Sequence, residues 1–229
     1  MEPTTAEVKP RSYDSSRRHR TAQATRVRIV AAARKRFLSD GYATSTIATI
    51  AGDADVSVDT VFKAFGGKPG LLRAIHSQSL AGVEPVGAEA RSDALQTTEG
   101  DPDVIMRGLG RLTAEVAPLV APLMLLIRDA ALTDPEVAGL KTQLDQQRLD
   151  RMTHNARTLA AAGHLRPDIT IEHAAEVMWT YSAPEFFELL VIRRGWTSEQ
   201  LGDFVGDALA AHLLPRPRSR RRSAGRQAM

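Results

Sequence analysis

Residues 54–68 read ADVSVDTVFKAFGGK. Ser57 is a helix-capping residue type, and Asp59, two positions later, suits the positive end of a helix dipole. Val61, Ala64 and Phe65 fall on one helical face, and Gly66-Gly67 supplies a left-handed stop. The spacing predicts a short helix over 58–65. Upstream, a second short helix over 45–53 starts at a capping Ser45 and turns Ile47, Ile50 and Ala51 inward. Only a tight turn fits between the two. Asp55 occupies that turn, where left-handed backbone is expected and where Asp is among the few non-glycine residues tolerated. Two short helices joined in this way form a helix-turn-helix.

Working outward, Ile29, Val30, Ala33 and Phe37 mark an amphipathic helix over 22–39, stopped by Gly41. A further helix starts at Pro69 with Leu71, Leu72 and Ile75 on its apolar side. Residues 82–100, rich in Gly, Ala, Glu and Ser and carrying Pro85, read as a loop or a poorly formed helix. Helices are predicted over 102–117 and 118–131, separated near Pro118. Asp134-Pro135-Glu136 opens another that runs to about Gly163. Thr170 caps the next, which Pro184 kinks or splits. In WTSEQL (196–201), Thr197 and Gln200 form a capping box, flanked by Trp196 and Leu201 as a staple. The last helix stops before Pro215. The expected fold class is all-α: an arm over 1–20, a three-helix helix-turn-helix domain over 21–81, a larger helical domain over 82–214, and a tail over 215–229.

A chain of 229 residues that is 43% hydrophobic can bury a core. The absence of cysteine excludes a disulfide scaffold and a thiolate zinc site. No HExxH, paired-carboxylate helix motif or glycine-rich phosphate loop occurs, and the six histidines read as surface residues. No catalytic residue, metal or cofactor is therefore predicted, and an enzymatic larger domain is the runner-up reading. No signal-like apolar run and no stretch of about 18 uncharged apolar residues are found, so a cytoplasmic protein without a membrane partner is expected. The net charge of +3 is uneven: residues 17–80 carry +7, residues 81–214 carry −9 and residues 215–229 carry +6. A basic domain beside an acidic one points to different partners, with a polyanion for the basic part.

The stretch from Arg26 to Leu72, with RVRIVAAARKRF, DGY, STIATIA, VSVDTVFKAF and GGKPGLL, resembles the TetR family of bacterial transcriptional regulators. The segments VMWTYSAPEFFELLVIRRGWTSEQL and ALAAHLL also look like closing helices of that family. The resemblance implies a homodimer that binds double-stranded DNA at a palindromic operator and holds a small-molecule effector in its larger domain. It places Ser57 at the cap of the recognition helix and Val58, Asp59, Thr60 and Lys63 on that helix's exposed face. Phe62 stands where the family usually has Tyr, Lys68 matches a phosphate-contacting Lys, and Ser45 and Thr46 match the polar pair that opens the preceding helix. Asp59 has two readings: it favours the helix dipole, or its carboxylate accepts from cytosine N4 in the groove. Arg17, Arg18 and Arg20 precede the first helix closely enough to reach a minor groove. The Arg-rich tail is a weaker polyanion candidate.

An effector pocket is expected to be apolar with a few polar groups. Candidates are Met106, Leu123, Met124, Ile127 and Arg128 in one helix, Met152 and Asn155 in the next, and Met178, Trp179, Tyr181 and Phe186 beyond. Arg128 could meet an acidic effector or pair with Asp129 or a neighbouring Glu. Segments 171–193 and 197–213 are the expected dimer face. The expected activity is repression relieved by an effector; a DNA-binding dimer without an effector, and an activator, are the alternatives.

Overall fold

The computed structural model describes residues 15–82 and 84–215. All regular structure there is helical: α1 (Ser15–Asp40), α2 (Ile47–Asp53), α3 (Val58–Phe65), α4 (Lys68–Ala81), α5 (Ala88–Thr98), α6 (Pro102–Ala130), α7 (Pro135–Ala161), α8 (Ile171–Tyr181), α9 (Pro184–Phe186), which continues as a π-helical turn through Phe187–Ile192, and α10 (Ser198–Leu213). Two compact units divide between Leu71 and Leu72, inside α4.

In the first unit, the face of α1 that carries Ile29, Val30, Ala33 and Phe37 is buried, as are Ile50 and Ala51 of α2 and Val61 of α3. Two arginines from the polar side of α1 tie it to its neighbours. Arg36 grips Asp53 with Nε and Nη2 at 2.5 and 2.9 Å, and Arg26 donates to the Ala64 carbonyl oxygen at 2.9 Å while lying over the Phe65 ring. The first turn of α4 comes so close to the end of α3 that a Cβ at Gly70 would lie 1.7 Å from the Phe65 oxygen. Helix α1 starts at Ser15, so residues 15–20, expected in an arm, are helical. Neither Pro nor Gly interrupts 15–40. The rest of the expected arm and the tail beyond Pro215 lie outside the described residues.

The second unit is built on α6. This helix runs unbroken through Pro118 and Pro122, where a separation near Pro118 was expected. A proline costs an interior helix one hydrogen bond and a local clash. Here Ile105 and Met106 on one side of the prolines, and Leu123 and Ile127 on the other, are all buried, and that packing outweighs the local penalty. Helix α10 lies along α6 with backbone against backbone: a Cβ at Gly110 would be 2.2 Å from the Gly202 oxygen and 2.8 Å from the Gly206 nitrogen. Residues 88–98 form a helix rather than a loop because α5 buries Ser92 and Gln96 and sets Leu95 against Gly108, a tertiary gain over weak local preference. The break at Pro184 and the Thr197–Gln200 capping box are as the spacing predicts, with the Thr197 N–H donating to Gln200 Oε1 at 2.8 Å. Among the described residues one helix, α6, is long and apolar enough to cross a membrane by length and composition. Its apolar residues fill the core and line a cavity.

Candidate functional site

Helix α2 ends in a Schellman arrangement. Asp55 adopts φ 52°, the Val56 N–H donates to the Ala51 oxygen at 3.0 Å, and the Asp55 N–H donates to the Gly52 oxygen at 3.1 Å. The left-handed turn therefore falls where the sequence put it. Ser57 then caps α3, its Oγ accepting from the Thr60 N–H at 3.2 Å and lying 2.8 Å from Thr60 Oγ1. Val58, Asp59, Phe62 and Lys63 are exposed along α3 and Thr60 is half-buried. Asp59 Oδ2 and Lys63 Nζ pair at 2.7 Å.

Two expected residues sit differently. The cap of α2 is Thr46, which forms a reciprocal box with Thr49, while Ser45 is buried and donates its hydroxyl to the Gly41 oxygen at 2.7 Å. Serving the end of the α1 turn keeps Ser45 off the surface, and the capping role moves one residue on. Lys68 is half-buried and donates to the carbonyl oxygens of Tyr42 at 2.6 Å and Ser45 at 3.2 Å, so it braces the α1–α2 connection. Arg18 and Arg20 are exposed on the first turns of α1; the side chain of Arg17 lies outside those described.

Within the second unit, a cavity of about 390 Å³ is lined by residues of α4, α5, α6, α7, α8, α9 and α10. Leu109, Leu112, Val116, Val120, Met124, Met152, Met178, Phe186 and Phe187 make it largely apolar. Its polar lining includes His76, Ser92, Thr113, Gln147, Arg148, Arg151, Asn155 and Ser182. Asn155 is buried and accepts from Gln96 Nε2 at 3.1 Å. Arg151 Nη2 reaches Asp93 Oδ1 at 2.6 Å, and this bond holds the Asp93 carboxyl below the usual carboxylate range. Burial lowers the pKa of His76, which keeps its imidazole neutral. Arg148 stacks over the Trp179 ring at 4.2 Å and donates to the Trp179 oxygen and to Ser182 Oγ. Burial makes its charge costly and pushes its pKa down, with Asp145 and Glu185 opposing that shift.

Six of the sequence candidates line this space: Met124, Met152, Asn155, Met178, Tyr181 and Phe186. Met106, Leu123 and Ile127 are buried in the core instead, and Trp179 is held outside the lining as the platform for Arg148. Arg128 also lies outside the lining. It pairs with Asp129 at 3.0 Å and Glu188 at 2.9 Å, the hydrogen bond to Glu188 first among the causes that raise its pKa.

A family model described as bacterial regulatory proteins, tetR family, matches residues 29–75, the span from the first buried residue of α1 to the middle of α4. Residues 29–75 thus carry the tetR-family pattern. No curated protein matches the chain. Among solved structures, the TetR-like chain is similar to NalD of Pseudomonas aeruginosa, the secondary repressor of the MexAB-OprM multidrug efflux pump, at 17% identity and TM-score 0.64, covering 86% of this chain and 100% of that one. It is similar to SmeT in complex with triclosan at 19% identity and TM-score 0.65, covering 85% and 93%. A Saccharomonospora viridis protein in complex with choline aligns at 18% identity and TM-score 0.63, covering 85% and 100%. At these identities the likeness is one of fold.

Among the lining residues that sequence reasoning missed in this TetR-like fold are Arg148 and His76. Arg148 had a readable signal: Leu144, Arg148, Met152, Asn155 and Leu159 follow one another at helical spacing, so a cation interrupts a stripe that otherwise faces inward. His76 follows the buried Ile75 and carries no comparable signal.

Proposed function

We propose that this protein is a homodimeric, sequence-specific DNA-binding regulator that represses transcription and is released by a small molecule bound in the 390 Å³ cavity. The observation that carries the reading is that cavity: a largely apolar space of ligand size, with a few polar groups, in a unit separate from the helix-turn-helix. The capped α3, with Val58, Asp59, Phe62 and Lys63 exposed, supports entry into a major groove. Triclosan and choline complexes of proteins with a similar fold support a ligand role for the larger unit. Helix α4 starts against Phe65 at Gly70 and also carries His76 and Leu80 in the cavity wall, so one continuous helix runs from the DNA-binding unit into the ligand site. A ligand that favours one placement of α4 shifts the population away from the spacing that matches successive major grooves, about 34 Å apart. Selection of bound DNA from a random pool tests this reading. Enrichment of twofold-symmetric sites supports a DNA-binding dimer, and a pool that shows no enrichment removes it.

A further inference from the structure

Arg148 is the less compensated of the two arginines in the cavity wall. One face of its guanidinium covers Trp179, and Nη1 is taken by the Trp179 oxygen and Ser182 Oγ. The nearest carboxylate oxygen to Nη2 is Asp145 Oδ1 at 3.8 Å, beyond hydrogen-bond distance. Asp145 already binds Lys141 Nζ at 2.5 Å through its other oxygen. Lys141 and Arg148 thus share Asp145, while Glu185, the other carboxylate acting on Arg148, pairs with Arg128 at 3.7 Å. Arg151, the other arginine of the lining, has Asp93 to itself and to His154. A partly buried guanidinium left with a surplus of positive charge favours an incoming anion, because a charge taken out of water gains most from a directly bonded partner.

From this surplus we propose that the cavity takes an amphiphilic carboxylate whose acid group bonds Arg148 and whose apolar body lies against Met124, Met152 and Met178. A carboxylate fits better than a phosphate monoester, since one negative charge matches the surplus at Arg148, and the other charged groups of the lining are Arg151, already paired with Asp93, and Glu89, which would repel a second negative charge. Trp179, already held under the guanidinium, fixes its plane before the ligand arrives. This assignment rests on the cavity being the ligand site.

The test compares decanoate, decanamide and decyltrimethylammonium, each below its micellar range, by calorimetry and by quenching of tryptophan fluorescence on the full chain. The expected result is decanoate binding about 10- to 100-fold more tightly than decanamide, with the cation weakest. Arg148→Met should level acid and amide, and Arg148→Lys should restore part of the difference. The wild-type comparison stands by itself if Arg148→Met folds poorly. Equal or stronger binding of the amide or the ammonium compound overturns the carboxylate assignment and leaves the ligand site in place. No binding by any of the three overturns the ligand-site reading and this assignment with it.

Discussion

Lys68 Nζ lies 2.6 Å from the Tyr42 carbonyl oxygen and 3.9 Å from the centre of the Tyr42 ring. It also donates to the Ser45 oxygen, so the first residue of α4 straps the connection between α1 and α2. A cation on a ring face and two carbonyls gains from both contacts, and its removal leaves half-buried acceptors short of a donor. Lys68→Met should lower unfolding stability by about 2 kcal/mol in urea titrations. The salt dependence of DNA binding should barely move, because an ammonium held by carbonyls neutralises little phosphate. A slope shallower by about 1 with unchanged stability would instead assign Lys68 to the DNA backbone.

The helix-turn-helix was legible because each of its devices is local. Ser57, Asp55, Gly66 and the Val61 face act within a few residues, and short-range chemistry survives folding unchanged. What failed depended on distant partners. Pro118 breaks a helix by local rules, yet α6 continues because residues on both sides of it belong to one core. Residues 88–98 have weak helix signals and are ordered through Ser92 and Gln96, whose buried neighbour Asn155 is 59 positions from Gln96. Arg128 and Arg148 show the same limit from opposite sides. Arg128 interrupts the apolar run LMLLIRDAAL and Arg148 stands at helical spacing with Leu144 and Met152, and only the fold separates the one that meets Glu188 from the one that lines the cavity.

The crossing of α6 and α10 allows a matched pair of substitutions. Gly110→Ala would force a methyl group to within 2.2 Å of a backbone oxygen in α10, and backbone cannot rotate away as a side chain can. The helices must separate, at a cost of about 2 to 4 kcal/mol. Gly139 lies in the interior of α7, is exposed, and would meet nothing within 4 Å. Gly139→Ala should therefore stabilise by about 0.4 to 1 kcal/mol through helix preference and a less flexible unfolded chain. Thermal unfolding of the two variants should shift in opposite directions, and a Gly110→Ala protein as stable as wild type would contradict the close crossing.

His76 gives the cavity unit a pH dependence whose sign is fixed. Burial lowers its folded pKa below the ordinary 6.5. In the unfolded chain it protonates near that ordinary value, whereas the folded protein resists protonation to lower pH. The contribution is thus fully present above the unfolded pKa and is lost as pH falls from there through the folded pKa. His76→Gln removes the titrating ring and keeps a polar group in the lining. Melting temperatures at pH 7.5 and 5.5 should differ less for the variant than for wild type. Equal differences would mean that His76 is not held neutral by burial.

Asp59 and Lys63 stand one helical turn apart on α3, paired at 2.7 Å while 69% and 77% of their side chains remain exposed. A pair so open to water contributes within about 0.5 kcal/mol, so folding stability does not explain its presence. If α3 enters a groove as proposed, a carboxylate that holds Lys63 withholds that ammonium from phosphate. Asp59→Ala should leave unfolding unchanged, strengthen binding to all sequences and steepen the salt slope by about 1. If the carboxylate also accepts from cytosine N4, the preference at one base position should relax by about 1 to 3 kcal/mol in the same variant. Lys63→Ala in that background should return the slope to its starting value. An Asp59→Ala protein with both slope and preference unchanged would place the pair outside the DNA contact, and the face of α3 that meets the groove would then be sought around Phe62 and Val58.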